Sequence, residues 1–483
     1  MTKLLYDEET ERRHTYLERR RKQRKRQRTI HIVILVILLI LFIFSATAFA
    51  VALYDRMKET KEASSPSPEP SSQETETLQA ETETTGDETA NELERLLSEA
   101  EFLAAGYDYD RAIELLRSRP EFADEQAVLD ACASYEEIKA TLVPANISEV
   151  THIFFHSLIM DNKKAFDGDS DEPGYNQVMT TKSEFMKILE EMHARGYVLV
   201  RLHDMAYETT DEQGRTVMKK GSIMLPPGKK PFVMSQDDVC YYDYMKGDGF
   251  ATRMIVGEDG KPTCEMELDD GTVSVGSYDL VPLLEDFIME HPDFSYRGAR
   301  AVIAFTGYQG ILGYRTDPDY QDKNPNIEQD KEEVKKVVQA LRDNGWELAS
   351  HTYGHMRLST RSLEDIKTDT GKWDAYITPL LGEVDILLYP FGADIGDWHD
   401  YTRENKKFAF LYDHGFRYFC NVDAAPYWVQ ARDSYLRQGR RNLDGVRMYY
   451  DLPETNPTKD HLSDLFDVTK IFDRERPTPV PPM

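Results

Sequence analysis

From Pro144 onward the sequence repeats one unit: a short apolar run, a polar turn, then a stretch with helical periodicity. The apolar runs fall at 152–159, 197–200, 231–236, 300–307, 346–350, 385–388 and 416–421, and helical stretches at 182–195, 279–291, 329–344 and about 403–414. Gly196, Gly345, Gly415 and Pro292 supply the stops. Such βα repeats demand parallel strands with helices outside them, hence a doubly wound sheet or a barrel. The residues best suited to chemistry sit at successive strand ends, which favours a barrel, where all strands converge on one mouth.

Two of those strand ends matter most. The run from Trp346 ends in His351 and His355, four residues apart, a spacing that puts two imidazoles on one side of a turn where neutral ring nitrogens can grip a divalent ion. The run from Pro231 delivers the adjacent carboxylates Asp237 and Asp238. Neighbouring strand residues point to opposite sides, so both aspartates can serve one site only if the strand bends there. Asp238, His351 and His355 together give one hard and two borderline ligands and leave a coordination position open for water, as metal-assisted hydrolysis requires.

The order of these elements resembles the polysaccharide deacetylase, or NodB-homology, family of carbohydrate esterases, over residues 151 to 425. Phe154–Ile159 is similar to that family's "YHSI" opening strand, Ser235–Asp238 to its "TFDD" segment, Ala299–Gly307 to "kATFFxxG", and Asn344–His355 to "GheIgsHtxxH". The resemblance implies a distorted (β/α) barrel that removes acetyl groups from N-acetylated sugars with a divalent metal, zinc first, nickel or cobalt as alternatives. Carried over residue by residue, it implies Asp237 as the base and Asp238, His351 and His355 as the metal ligands.

Amide hydrolysis also needs an oxyanion stabiliser and an acid for the leaving amine. A backbone N–H at Phe391, in the loop Tyr389–Gly392 that stands in the place of the family's "RxPYG" segment, is the expected stabiliser. The family's arginine falls on Leu388 here. Arg440 or Arg441 would replace it only if the fold brings them in, and in a polar segment they read as surface charges. No late "LxxH" motif is recognisable, and His461 stays unassigned. His156, on the first strand, is the expected acid or substrate-orienting group. Asp394, Asp397 and Trp398 offer carboxylates and an indole for sugar hydroxyls and a sugar face, and Asp423 and Trp428 would line the same mouth.

The rest of the chain divides by composition. Residues 1–29 hold eleven Lys/Arg against five Asp/Glu in a chain of net charge −28, a basic cytoplasmic tail before the apolar run 30–53, which is long enough to cross a bilayer as a helix. The positive-inside rule then faces everything after Leu53 outward, a single-pass plasma-membrane protein with an extracellular catalytic domain; the rival is a signal peptide cleaved after Ala50. Residues 54–90, rich in Ser, Thr, Pro and Glu, read as a disordered acidic stalk. Residues 91–143 read as a tetratricopeptide-like helical hairpin, either a docking element for a protein partner or packing for the next domain. The catalytic domain is expected over 144–470 and a C-terminal tail over 471–483. The span 241–278 looks inserted, as a lid or hairpin; the four cysteines define no disulfide framework, and a Cys240–Cys264 bridge across the insertion is left undecided by the sequence. An acidic outer part without a phosphate loop excludes nucleic acid as a partner.

The expected activity is therefore N-deacetylation of an extracellular or cell-wall N-acetylhexosamine polymer, peptidoglycan being one candidate. The alternatives are an inactive glycan-binding relative, supported by the missing arginine and late histidine, and a carbohydrate O-acetyl esterase.

Overall fold

The computed structural model describes residues 76–483. The basic tail, the apolar run 30–53 and the stalk up to residue 75 lie outside the described residues, among which no helix is long and apolar enough to cross a membrane. Asn91–Glu267 and Val273–Met483 form one compact unit that holds the sites described below.

The βα repeat closes into a barrel. Its strands are β1 (Thr151–Phe155), β3 (Lys230–Gln236), β4 (Val302–Phe305), β5 (Glu347–Ser350), β6 (Ile386–Leu388), β7 (Tyr418–Val422) and β8 (Leu436–Asn442), once the short β2 (Tyr197–Leu199) is set outside the ring. Around the ring the order is β4, β5, β6, β7, β8, β1, β3 and back to β4, every pair parallel. β3 is shared on one edge: β2 pairs with its first half and β4 with Ser235 and Gln236, a departure from a regular ring.

Alternation along each strand separates two cores. Val233, Ala304, Ala349, Ile386, Leu388, Cys420 and Leu436 pack together within the barrel. Ile153, Phe155, Phe232, Met234, Ile303 and Phe305 pack outward against helical residues such as Phe185, Ile188, Leu284 and Leu341. Helix Lys182–Ala194 is started by a capping box between Thr181 and Glu184. Helix Ile327–Asp343 is followed by Gly345 at φ +87°, where a Cβ would stand 2.7 Å from the Gly298 carbonyl, so only glycine turns the chain into β5 there.

Four expectations need correction. The strand β8 was not foreseen, because Leu-Arg-Gln-Gly-Arg-Arg-Asn has no apolar run; it is nonetheless buried along its whole length. The first helix runs Glu76–Ala105, so part of the stretch read as stalk is helical. With helices Tyr109–Arg117 and Gln126–Ala140 it forms a three-helix segment whose Leu96, Ala100, Ala112 and Leu116 join the core that contains Val198, Leu202 and Met205. The residues 471–483 are not a loose tail: Ile471, Phe472 and Val480 are core, and Arg476 is paired with Glu184, both side chains wholly buried. The four cysteines are free and buried, Cys264 meeting the Tyr241 hydroxyl rather than Cys240. The inserted span is a three-stranded antiparallel meander, Arg253–Val256, Pro262–Glu267 and Val273–Gly276.

Candidate active site

β3 ends at Gln236, and the chain then bends: Asp238 takes φ +58°, a conformation rare for a residue with a Cβ. That bend is what lets both aspartates face the barrel mouth. Asp238 Oδ1 accepts hydrogen bonds from the hydroxyls of Tyr242, at 3.0 Å, and Thr306. Its Oδ2 is left 3.6 Å from His355 Nε2. Asp238, His351 and His355 each present one ligand atom, all within 4.8 Å of one another.

The two histidines are aimed by their surroundings. His351 Nδ1 is 2.8 Å from the Leu388 carbonyl, so Nδ1 carries the proton and Nε2 turns its lone pair to the cluster. Burial brings the His351 pKa down to about 4 against the opposing pull of Asp237 and Asp238, which leaves the ring neutral and ready to ligate. The loop between the histidines is held from below by Asp369, whose carboxylate accepts from the amides of Tyr353 at 2.9 Å and Gly354 at 2.7 Å. A side chain on Gly354 would meet that carboxylate, since a Cβ would lie 2.9 Å from Oδ1. One hard carboxylate oxygen and two imidazole nitrogens, with the His351 ring oriented through its Nδ1 to the Leu388 carbonyl, fit a zinc-like divalent ion.

Asp237 is buried beside this cluster and accepts a hydrogen bond from Arg440 Nη1 at 2.6 Å. Burial alone would push its carboxyl up, but the Arg440 guanidinium, through its charge and its hydrogen bond, holds it well below the usual carboxylate range. Arg440 is thus no surface charge. Its side chain is fully buried, lies over the Phe154 ring at 4.4 Å, and stands where a partner for Asp237 is needed although Leu388 occupies the family's arginine position. The signal that would have found it is the period of two: Leu436, Gln438 and Arg440 share one face of β8 with the barrel interior. Arg441 points the other way, to Asp464 at 2.7 Å.

His156 follows β1, with Nδ1 3.1 Å from the Val178 carbonyl, close enough to both aspartates to interact with them electrostatically. Phe391 is 57% exposed at φ +57°, its ring 4.5 Å from that of His355 and the Arg357 guanidinium above it. These residues are brought together. Asp394 is not free for sugar: Arg437 at 2.7 Å and the Tyr401 hydroxyl occupy it. Asp397 is exposed and bonded to His399, on which the 70% exposed Trp398 stacks. Trp428 lies under Arg437. Sequence reasoning missed Tyr242, Thr306 and Asp369, hydroxyls and a helix residue that no motif marks.

The fold thus sets a buried carboxylate and a group of three residues able to hold a metal ion together at the mouth of a parallel barrel. Residues 321–410 match the polysaccharide deacetylase family model, the family that the motifs resemble. No curated protein sequence matches the chain. Among solved structures it is similar to the Streptococcus pyogenes deacetylase PplD in complex with acetate, at 11% identity and TM-score 0.33, covering 65% of this chain and 97% of that one. It is also similar to BA0330 of Bacillus anthracis, described as a polysaccharide deacetylase, at 12% identity and TM-score 0.34, covering 65% and 67%.

Proposed function

We propose that the protein removes N-acetyl groups from an extracellular N-acetylhexosamine polymer, with Asp238, His351 and His355 holding a divalent ion, zinc first. The observation that carries this reading is the buried Asp237–Arg440 pair set directly beside the three-ligand cluster. A charged, immobilised carboxylate next to a cation cradle is what water activation at an amide needs. When bound, the ion supplies Lewis acidity and charge stabilisation.

Water attacks the acetyl carbonyl carbon while Asp237 takes its proton. The oxygen that becomes negative is met by the backbone N–H at Phe391. The C–N bond then breaks, the amine leaves with a proton given by His156, and acetate is released. Trp398 and Asp397, exposed beyond the site, are the remaining candidates for a sugar contact. The Arg440–Asp237 pair weakens one of the two supports of the inactive glycan-binding reading, the missing arginine; the missing late histidine still stands behind it. The apolar run 30–53 with its basic flank supports a plasma-membrane anchor with this domain outside the cell, testable by protease accessibility on intact cells.

The test is acetate release from a chitooligosaccharide by wild type and Asp237→Asn. Turnover in the wild type and a loss of roughly 10²–10⁴-fold in the variant supports the reading. Equal activity of the two overturns it, and release from O-acetylated sugar alone favours the esterase.

A further inference from the structure

Below Asp237 the barrel interior is not wholly apolar. His152 on β1, Ser235 on β3, and Gln438 and Arg440 on β8 are all buried and meet one another along the barrel axis. Arg440 Nη1, which donates to Asp237, also donates to Ser235 Oγ at 3.2 Å. Ser235 Oγ is 3.0 Å from His152 Nε2, His152 Nδ1 is 3.1 Å from Gln438 Oε1, and Gln438 Nε2 donates to the Val150 carbonyl at 2.8 Å.

Donor and acceptor rules allow one direction through this chain. The Gln438 amide nitrogen is committed to a carbonyl, so its oxygen must accept, and His152 Nδ1 must carry the proton. His152 Nε2 is then a lone pair, which only the Ser235 hydroxyl hydrogen can fill. With its hydrogen turned to His152, Ser235 presents an oxygen lone pair to Arg440. Burial and the nearby Arg440 cation keep the imidazole neutral, as this direction requires.

The link matters because of what Arg440 lacks. Its Nε and Nη2 meet no protein partner. The polar contacts fixing the guanidinium are therefore those of Nη1 to Ser235 and Asp237, supplemented by the Phe154 face. We infer that His152 is a positioning residue which, by fixing the Ser235 hydroxyl, sets the place of Arg440 and through it the catalytic carboxylate of Asp237. It touches neither substrate nor Asp237. The inference rests on the deacetylase reading for its kinetic arm only.

The test uses His152→Leu, His152→Gln, Ser235→Ala and the Leu/Ala double variant, each checked for folding by circular dichroism. On the chitooligosaccharide, His152→Leu and Ser235→Ala each lower kcat about tenfold with KM unchanged, the loss expected from one hydrogen bond to a charged group. The double variant falls no further than either single one, and His152→Gln, whose amide oxygen can still accept from Ser235, recovers most of the rate. A second arm needs no substrate: nitrogen NMR of the labelled imidazoles, with the His152 signals assigned by their loss in His152→Gln, finds that ring neutral with its proton on Nδ1 from pH 5 to 8, and Ser235→Ala frees rotation of the Arg440 guanidinium. Wild-type kcat in His152→Leu, additive losses, or the opposite tautomer overturns the inference. If the wild type shows no turnover, the deacetylase reading fails and the NMR arm alone decides; if His152→Leu does not fold, Ser235→Ala and His152→Gln carry the test.

Discussion

Arg440 donates to Asp237 across 203 residues of chain, at 2.6 Å and with neither side chain more than 3% exposed. Removing one member of such a pair leaves an uncompensated buried charge. Arg440→Met should lose about 3–5 kcal/mol of stability, read as a lower denaturant midpoint, and kcat should fall by about 10²-fold or more. Arg440→Lys should not restore the rate, because an ammonium cannot offer Ser235 and Asp237 the same planar nitrogen.

Asp369 supports the histidine loop without touching the ligand atoms. Asp369→Ala should weaken zinc binding by roughly 10–100-fold while leaving the barrel folded. Competition with a chromogenic chelator measures it; an unchanged affinity would show that the loop holds its shape unaided.

The last residues belong to the barrel domain. Glu184 accepts from Arg476, from the Asp473 amide and from the Thr181 amide, and caps the helix it begins. Ending the chain after Phe472 should therefore destabilise the barrel by about 3–5 kcal/mol, seen in thermal unfolding. A truncated protein as stable as the full one would restore the picture of a loose tail.

His203 is clamped between Glu347 and Asp385. Burial opposes its charge, but the hydrogen bonds it donates to Asp385 and Glu347 more than offset that and raise its pKa to about 10. An unfolded histidine titrates near 6.5, so this contribution is complete below that pH and is lost as the pH rises toward 10. Urea midpoints should fall between pH 7 and 10, and His203→Gln should flatten that slope. With 41% of the side chain exposed, solvent screening keeps the amplitude modest.

The apolar strands and capped helices were legible because each carries its own period and its own stops. The pair Asp237–Asp238 and the histidines at 351 and 355 were legible because they end such strands. β8 was hidden because its burial rests on partners distant in sequence: Arg437 on Asp394, Arg440 on Asp237, Arg441 on Asp464. A strand of three arginines looks solvated until the carboxylates that neutralise it are in place. The same pairing removed Asp394 from the sugar-binding candidates. Asp369 and Tyr242 were hidden for a related reason, since a residue that aims a ligand carries no spacing of its own.

The central claim is that Asp238, His351 and His355 form a divalent-metal cradle. Elemental mass spectrometry of the purified protein, beside a His351→Ala, His355→Ala double variant, tests it most directly. The account predicts near one equivalent of zinc, nickel or cobalt per wild-type chain and little in the variant. A folded wild type that holds no metal and gains none when it is added back would contradict it.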